Sequence, residues 1–323
     1  MGKRQANTLR IVLLAVLFAA GGAFAQYPSR PVRIVVTIPP GGAPDIAARI
    51  IGQRLGEGLG QPFIIDNRPG ANGNTAAAEV ARAPADGYTL ILAADSLIAI
   101  NPHLYSRMPL DTLKDLGPVA SLVSNQFVLS VNPSLPVKTF PEFIEYARKA
   151  NPPLNYASGG NGSQHQLTME MLKQRAGIDL VHVPYRGGAP ATTATVAGEV
   201  AAMFAGTSTA PQIKAGRLRA LAVAGARRSR AFPELPTIAE FYPGFENSIW
   251  LGLFGPAGLP EEVLLKLRNE ITRTLQAPEV IEKLHGAGSL EPFITTPEEF
   301  AALVRRDYER YGKVIKEVGV KAD

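Results

Sequence analysis

Three short stretches of this 323-residue chain pair glycines with small polar residues in an order that suits the capture of an anion. They are Pro39-Pro40-Gly41-Gly42-Ala43-Pro44-Asp45, Ser158-Gly159-Gly160-Asn161-Gly162-Ser163 and Tyr185-Arg186-Gly187-Gly188-Ala189-Pro190. Each follows an apolar run and precedes residues at helical spacing. A glycine turn between a strand and a helix leaves backbone N–H groups unpaired and aimed at one spot. The helix dipole makes that spot attractive to negative charge. The dipole supplies roughly 0.3–1 kcal/mol, up to about 2 kcal/mol when partly buried, and charge-assisted hydrogen bonds add to it. Two such turns facing each other can hold one carboxylate without an arginine. A single turn of this kind also does no more than reverse the chain, so recurrence is what points to a site. Ala205-Gly206-Thr207-Ser208-Thr209 is a further small polar loop at a strand end.

The side chains near these turns are ambiguous one by one. Asp45 sits in the first turn of its helix, where it either caps that helix or meets an amino or hydroxyl group of a ligand. Ser96, Ser163, Thr207 and Ser208 are short donors suited to orienting a ligand, and equally ordinary cap and loop residues. His165 is within reach of the same cleft, and Tyr185 and Arg186 stand at a strand end. His103, His182 and His285 are scattered without metal-ligand spacing, so no metal or cofactor is expected.

An enzyme reading has one candidate. Gly206-Thr207-Ser208-Thr209-Ala210 approaches a nucleophile elbow but has the wrong last residue. A secreted serine hydrolase using Ser208 would need His285 as its base and a glutamate such as Glu240 or Glu246 behind it. No P-loop, dinucleotide fingerprint or zinc signature is present. Capture without transformation is the preferred reading.

The elements that must position these turns alternate. Apolar runs at 32–38, 63–65, 88–92, 127–131, 154–157, 180–183, 200–204 and 218–224 read as strands. Helical spacing follows most of them: residues 46–59, 75–82, 140–149 and a helix after Ser163, capped by Ser163 and Gln166 in a capping box. Such alternation predicts an α/β fold with mainly parallel sheets flanked by helices, and ligands then sit at strand C-terminal ends. Residues 245–254, with the single tryptophan Trp250, read as a return to the first unit. Three helices follow, the last opened by Thr296-Pro297-Glu298-Glu299. They are expected to cover the first unit and tie the crossings into a hinge. The expected division is residues 26–125 with 246–323 as a discontinuous first domain and 126–245 as the second.

Residues 1–25 carry basic residues, an apolar run and Ala23-Phe24-Ala25, a secretory signal peptide with cleavage expected after Ala25. Their loss removes Lys3, Arg4 and Arg10 and no acid, taking the formal charge from +5 to +2. Export and near-neutral charge argue against a nucleic-acid partner. With no cysteine, the mature chain must rest on its apolar core and carries no lipid-anchored cysteine. A freely diffusing monomer of a bacterial periplasm is expected.

YPSRPVRIVV with IPPGGAPD, then DNRPGANGN, APADGYTL, NYASGGNGS, HVPYRGGAPA and KAGRLRALAV resemble, in order and spacing, the receptors of tripartite tricarboxylate transporters, the Bug family. The resemblance spans essentially the whole mature chain. It implies a two-domain periplasmic binding protein, a type II-like Venus flytrap closing on a small carboxylate for a membrane transporter or a sensor kinase. It also implies that Gly41 to Asp45 and Ser158 to Ser163 hold the carboxylate, partly through water, beside the Tyr185-to-Pro190 turn. The chain departs from the family pattern at Pro44-Asp45 and at Ala205 and Gly206, which bear on the distal ligand contacts.

Overall fold

The computed structural model describes residues 27–41, 43–206, 209–287 and 290–321. The expected signal peptide, Gly42, Thr207 and Ser208 lie outside the described residues. In chain order the elements are β1 (Val32–Val36), α1 (Ala43–Leu59), β2 (Phe63–Asn67), α2 (Asn74–Ala81), β3 (Thr89–Ala94), a π-helical turn (Ser96–Ile100) and α3 (Asn101–Leu104). Next come β4 (Leu116–Val131), α4 (Phe140–Lys149), β5 (Leu154–Ser158), α5 (Gln164–Ala176), β6 (Leu180–Pro184), α6 (Gly188–Ala197), β7 (Ala202–Gly206), α7 (Ala210–Lys214) and β8 (Arg219–Val223). The chain ends with β9 (Ser248–Pro256), α8 (Glu261–Gln276), α9 (Pro278–Gly286), β10 (Glu291–Pro292) and α10 (Pro297–Val318).

The strands join in the order β2-β1-β3-β9-β4-β7-β5-β6, with β8 and β10 also on β4. The parallel pairings expected from the alternation form each outer half: β1 with β2 and β3, β5 with β6 and β7. In β1, Val32, Ile34, Val35 and Val36 are all buried, the near-continuous apolar pattern of a strand covered on both faces, broken only by the half-buried Arg33. Where the halves meet, β9 runs antiparallel to β3 and β4, and β4 antiparallel to β7 and β8.

One strand differs from expectation. Residues 127–131 are only the end of β4, which begins at Leu116. Gly117, Pro118 and Ser121 hid its first part by breaking the apolar run. This part pairs with β9 as far as Gln126↔Ser248, and the rest pairs with β7 from Phe127↔Gly206.

The tail covers the first half. Val263, Leu267, Ile271 and Leu275 recur every four residues along α8 and seat it against α1 and β4. Phe300 and Val304 of α10 pack with Trp250 and Phe254. Glycine is needed at position 252 because a Cβ there would lie 2.4 Å from Phe300 Cζ. Farther along α10, Tyr311, Val314 and Ile315 pack with Leu167 of α5, so one helix bridges both halves.

Candidate functional site

A cleft of about 580 Å³ opens between the halves at the C-terminal ends of β1, β3, β5 and β6. From the second half come Gly159, Asn161, Gly162, Ser163, Gln164, His165, Gly187 and Gly188. From the first come Thr37 to Pro39, Pro44, the 69–72 loop, and Ser96 with its π-helical turn. No described lining residue is Asp, Glu, Lys or Arg.

Two helices start at this wall. At α5, Ser163 Oγ accepts from Gln166 N at 3.4 Å, as expected of an N-cap. Gln166 does not complete a reciprocal box; its Oε1 accepts from Gly162 N at 2.7 Å and tightens the turn instead. At α6, the N-cap is Gly187, which has no side chain to satisfy the first-turn amides. A Cβ on Gly162, at φ 73°, would meet Leu104 Cδ1 at 2.7 Å, so the second half approaches α3 at a contact only glycine permits.

Several expected site residues stand behind the wall. Ser158 is fully buried; its Oγ donates to Gly160 O at 3.0 Å, accepts from Gly160 N at 3.1 Å and lies 2.6 Å from His182 Nε2. It shapes the turn. Tyr185 directs its hydroxyl to Glu199, and neither it, Gly160 nor Ala189 lines the cleft. Gly41 also lies off the wall, as does Asp45, whose carboxylate is occupied by protein. It accepts from Gly41 N and Asn67 Nδ2 at 2.9 Å each, and from Arg49 Nε at 3.1 Å. Burial opposes its charge, but the bonds from Arg49, Gly41 and Asn67 outweigh burial and hold the carboxyl below its usual range. Asp45 thus ties the Pro39–Gly41 turn to β2.

His165 lines the cleft with its ring edge-on to Phe127, centroids 5.3 Å apart. Burial pushes its imidazole down to about 4, so it is neutral at pH 7 and offers a hydrogen bond rather than a counter-charge. The unfolded histidine titrates near about 6.5. Acid therefore protonates the unfolded chain first, and this contribution to stability, whole above that pH, is lost as pH falls toward about 4. Melting temperatures should fall less steeply between pH 6.5 and 4 for His165→Asn than for the parent chain. Equal slopes would assign the acid sensitivity elsewhere.

The sequence reading passed over the 69–72 loop as a binding surface. Ala71 and Asn72 adopt left-handed φ of 45° and 51°, conformations that side chains rarely take. Asn101 Nδ2 pins the loop by donating to Asn72 O at 3.1 Å, and Asn72 Nδ2 donates to Tyr105 OH at 2.6 Å. The glycine-rich run 67–74 was the available signal. Gln164 was also missed. Its amide crosses the seam to the fully buried Asp95, whose carboxylate also accepts from Ser96 N at 2.9 Å. Burial, then the facing charge of Asp307, hold the Asp95 carboxyl well above its usual range. His285, the base expected for a Ser208 hydrolase, sits on α9, whose Val280 and Leu284 pack into the core with α1 and α8.

This arrangement has solved counterparts. The chain is 36% identical to Rpa4515 of R. palustris, solved with adipate, over 91% of this chain and 99% of that one, with a TM-score of 0.76. It is 32% identical to MatC (Rpa3494) from Rhodopseudomonas palustris, solved with bound malate, over 90% and 100%, with a TM-score of 0.70. The periplasmic binding protein BugD is 30% identical over 91% and 99%, with a TM-score of 0.72. Residues 47–320 match the tripartite tricarboxylate transporter family receptor. Agreement of sequence, overall fold and length across these comparisons makes the chain a member of the Bug family of tripartite tricarboxylate transporter receptors, which are periplasmic solute-binding proteins.

Proposed function

We propose that this receptor traps a small carboxylate between two lobes, residues 26–125 with 246–323 and residues 126–245, and delivers it unchanged to a membrane transporter or a sensor. One observation carries the reading: α5 and α6 begin at a wall whose described residues include no charged side chain. Peptide amides and helix dipoles are then what a carboxylate meets. In this reading the turn at Gly159 to Ser163 and the Gly188 amide at the start of α6 grip the anion. Ser96 and His165 orient it, and Gly41, Gly42 and Ala43 close from the opposite lobe. Leu97, Ile100 and Leu104 offer apolar surface to a short hydrocarbon body. Rpa4515 and MatC, solved with adipate and malate, support carboxylates of this size as ligands. Cleavage after Ala25 and action as a monomer belong to the same proposal.

The test is a thermal-shift comparison of carboxylates with their own amides. A fitting acid at one hundred times its Kd adds about 2.7 kcal/mol of stability, a rise of several degrees for a chain of this size. The matching amide should give no shift. Equal stabilisation by acid and amide would remove the anion grip from the account.

A further inference from the structure

A second cavity, of about 550 Å³, lies at the seam of the two halves and shares no lining residue with the cleft. It is walled by the crossing strands β4 and β9, the loop around residues 226–230, the 291–294 segment and α10. Its chemistry is the reverse of the cleft's. Five arginines line it, Arg227, Arg228, Arg230, Arg306 and Arg310, against the acids Glu246, Glu291 and Asp307.

Two of these arginines are committed. Arg228 forks onto Glu240, outside the cavity, at 3.0 and 2.9 Å. Arg310 Nη2 pairs with Asp307 at 3.1 Å and donates to Asn247 Oδ1 at 3.0 Å. The other three face the cavity with little opposition. Among the described residues, the guanidiniums of Arg227 and Arg230 have no hydrogen-bond or ion-pair partner, and Arg306 comes no closer than 3.9 Å to Asp307. Arg310 Nε, Gln126 Oε1 and Asp307 Oδ1, all on residues that line the cavity, are buried polar atoms without a hydrogen bond, and Asp307 Oδ1 is matched by its ion pair with Arg310 Nη2. A buried N–H with no acceptor is costly, and a planar guanidinium is shaped for an oxyanion.

We propose that this cavity is a second ligand site, taking a small oxyanion with two or more negative charges. Arg227, Arg230 and Arg306 neutralise it, and small rotations of the Arg310 and Gln126 side chains, whose unbonded Nε and Oε1 are sealed from solvent at rest, bring their N–H groups to it. With Arg228 matched by Glu240, the lining keeps an excess of positive charge that favours such a guest. The shared chemistry covers inorganic phosphate and short dicarboxylates.

Calorimetric titration at fixed ionic strength, with phosphate and with succinate as separate probes, tests this. At least one should bind the parent chain saturably, and the Arg227→Gln/Arg230→Gln chain should bind it at least tenfold more weakly. Both arginines are exposed, so the double variant keeps its core. Crystals soaked in selenate locate the guest directly, with an anomalous peak expected within hydrogen-bond distance of Arg310 Nε. Binding of neither probe, undiminished binding by the double variant, or a selenate peak confined to the starts of α5 and α6 would each overturn the proposal.

Discussion

Replacing Asn247 by leucine is expected to cost about 3–5 kcal/mol of unfolding free energy, the scale of a buried charged network left with an unmatched partner. The Asn247 side chain is fully buried and sits at the seam. Its Oδ1 accepts from Tyr311 OH at 2.6 Å and from Arg310 Nη2 at 3.0 Å, while its Nδ2 donates to Thr168 Oγ1 at 2.5 Å. Thr168 Oγ1 in turn donates to Gln164 O at 2.6 Å, and Gln164 reaches Asp95. Leucine keeps the branched shape with somewhat more bulk, and strands a phenol and part of a guanidinium away from water. Urea denaturation should show a midpoint well below the parent's. Asn247→Asp, which keeps an acceptor for Arg310 and Tyr311, should recover part of the loss. A leucine variant within 1 kcal/mol of the parent would mean that water or rearrangement satisfies those groups.

Gly188→Glu should abolish carboxylate binding, with affinity at least a hundredfold lower, while the chain still folds. The backbone at Gly188 is not among the positive-φ positions, and a Cβ there would sit 3.4 Å from His165 Nε2, an ordinary contact. The new carboxylate lies at the start of α6, where it gains from the same dipole that the ligand uses. It occupies the anion position and repels a second anion. Gly188→Gln supplies nearly the same bulk without the charge and should lose less. An undiminished thermal shift in Gly188→Glu would place the grip elsewhere.

What could be read in advance follows from how local each signal is. The turns at 158–163 and 185–190 are legible because strand, glycine and helix start lie within a dozen residues. The tail helices are legible for the same reason: Thr296 Oγ1 accepts from Glu299 N at 3.1 Å, and Glu299 returns the bond to Thr296 N at 2.8 Å. The role of Asp45 was half legible. Arg49 is one helical turn away, but Asn67 arrives through the register Val36↔Asn67, which periodicity does not reveal. Asp95 and Gln164 are 69 residues apart and meet only because the halves meet. Asp307 sits on the buried stripe of α10 like a misplaced acid until Trp250 Nε1 is found donating to it at 2.8 Å. Polar contacts across a seam depend on topology, and no spacing rule encodes them.

The unbroken course of β4 bears on how such a molecule can move. The backbone passes between the halves twice, at Gln126–Phe127 and just before Ser248, and Gln126 is laddered to Ser248. The two passages therefore lie side by side as one short ribbon, the first inside β4 and the second through residues 245–247 directly into β9. A ribbon of paired strands resists stretching and sliding but yields to torsion. Opening should be a rotation about that axle, and a guest's residence time should then be set by how fast its amide contacts break rather than by the wandering of a tether.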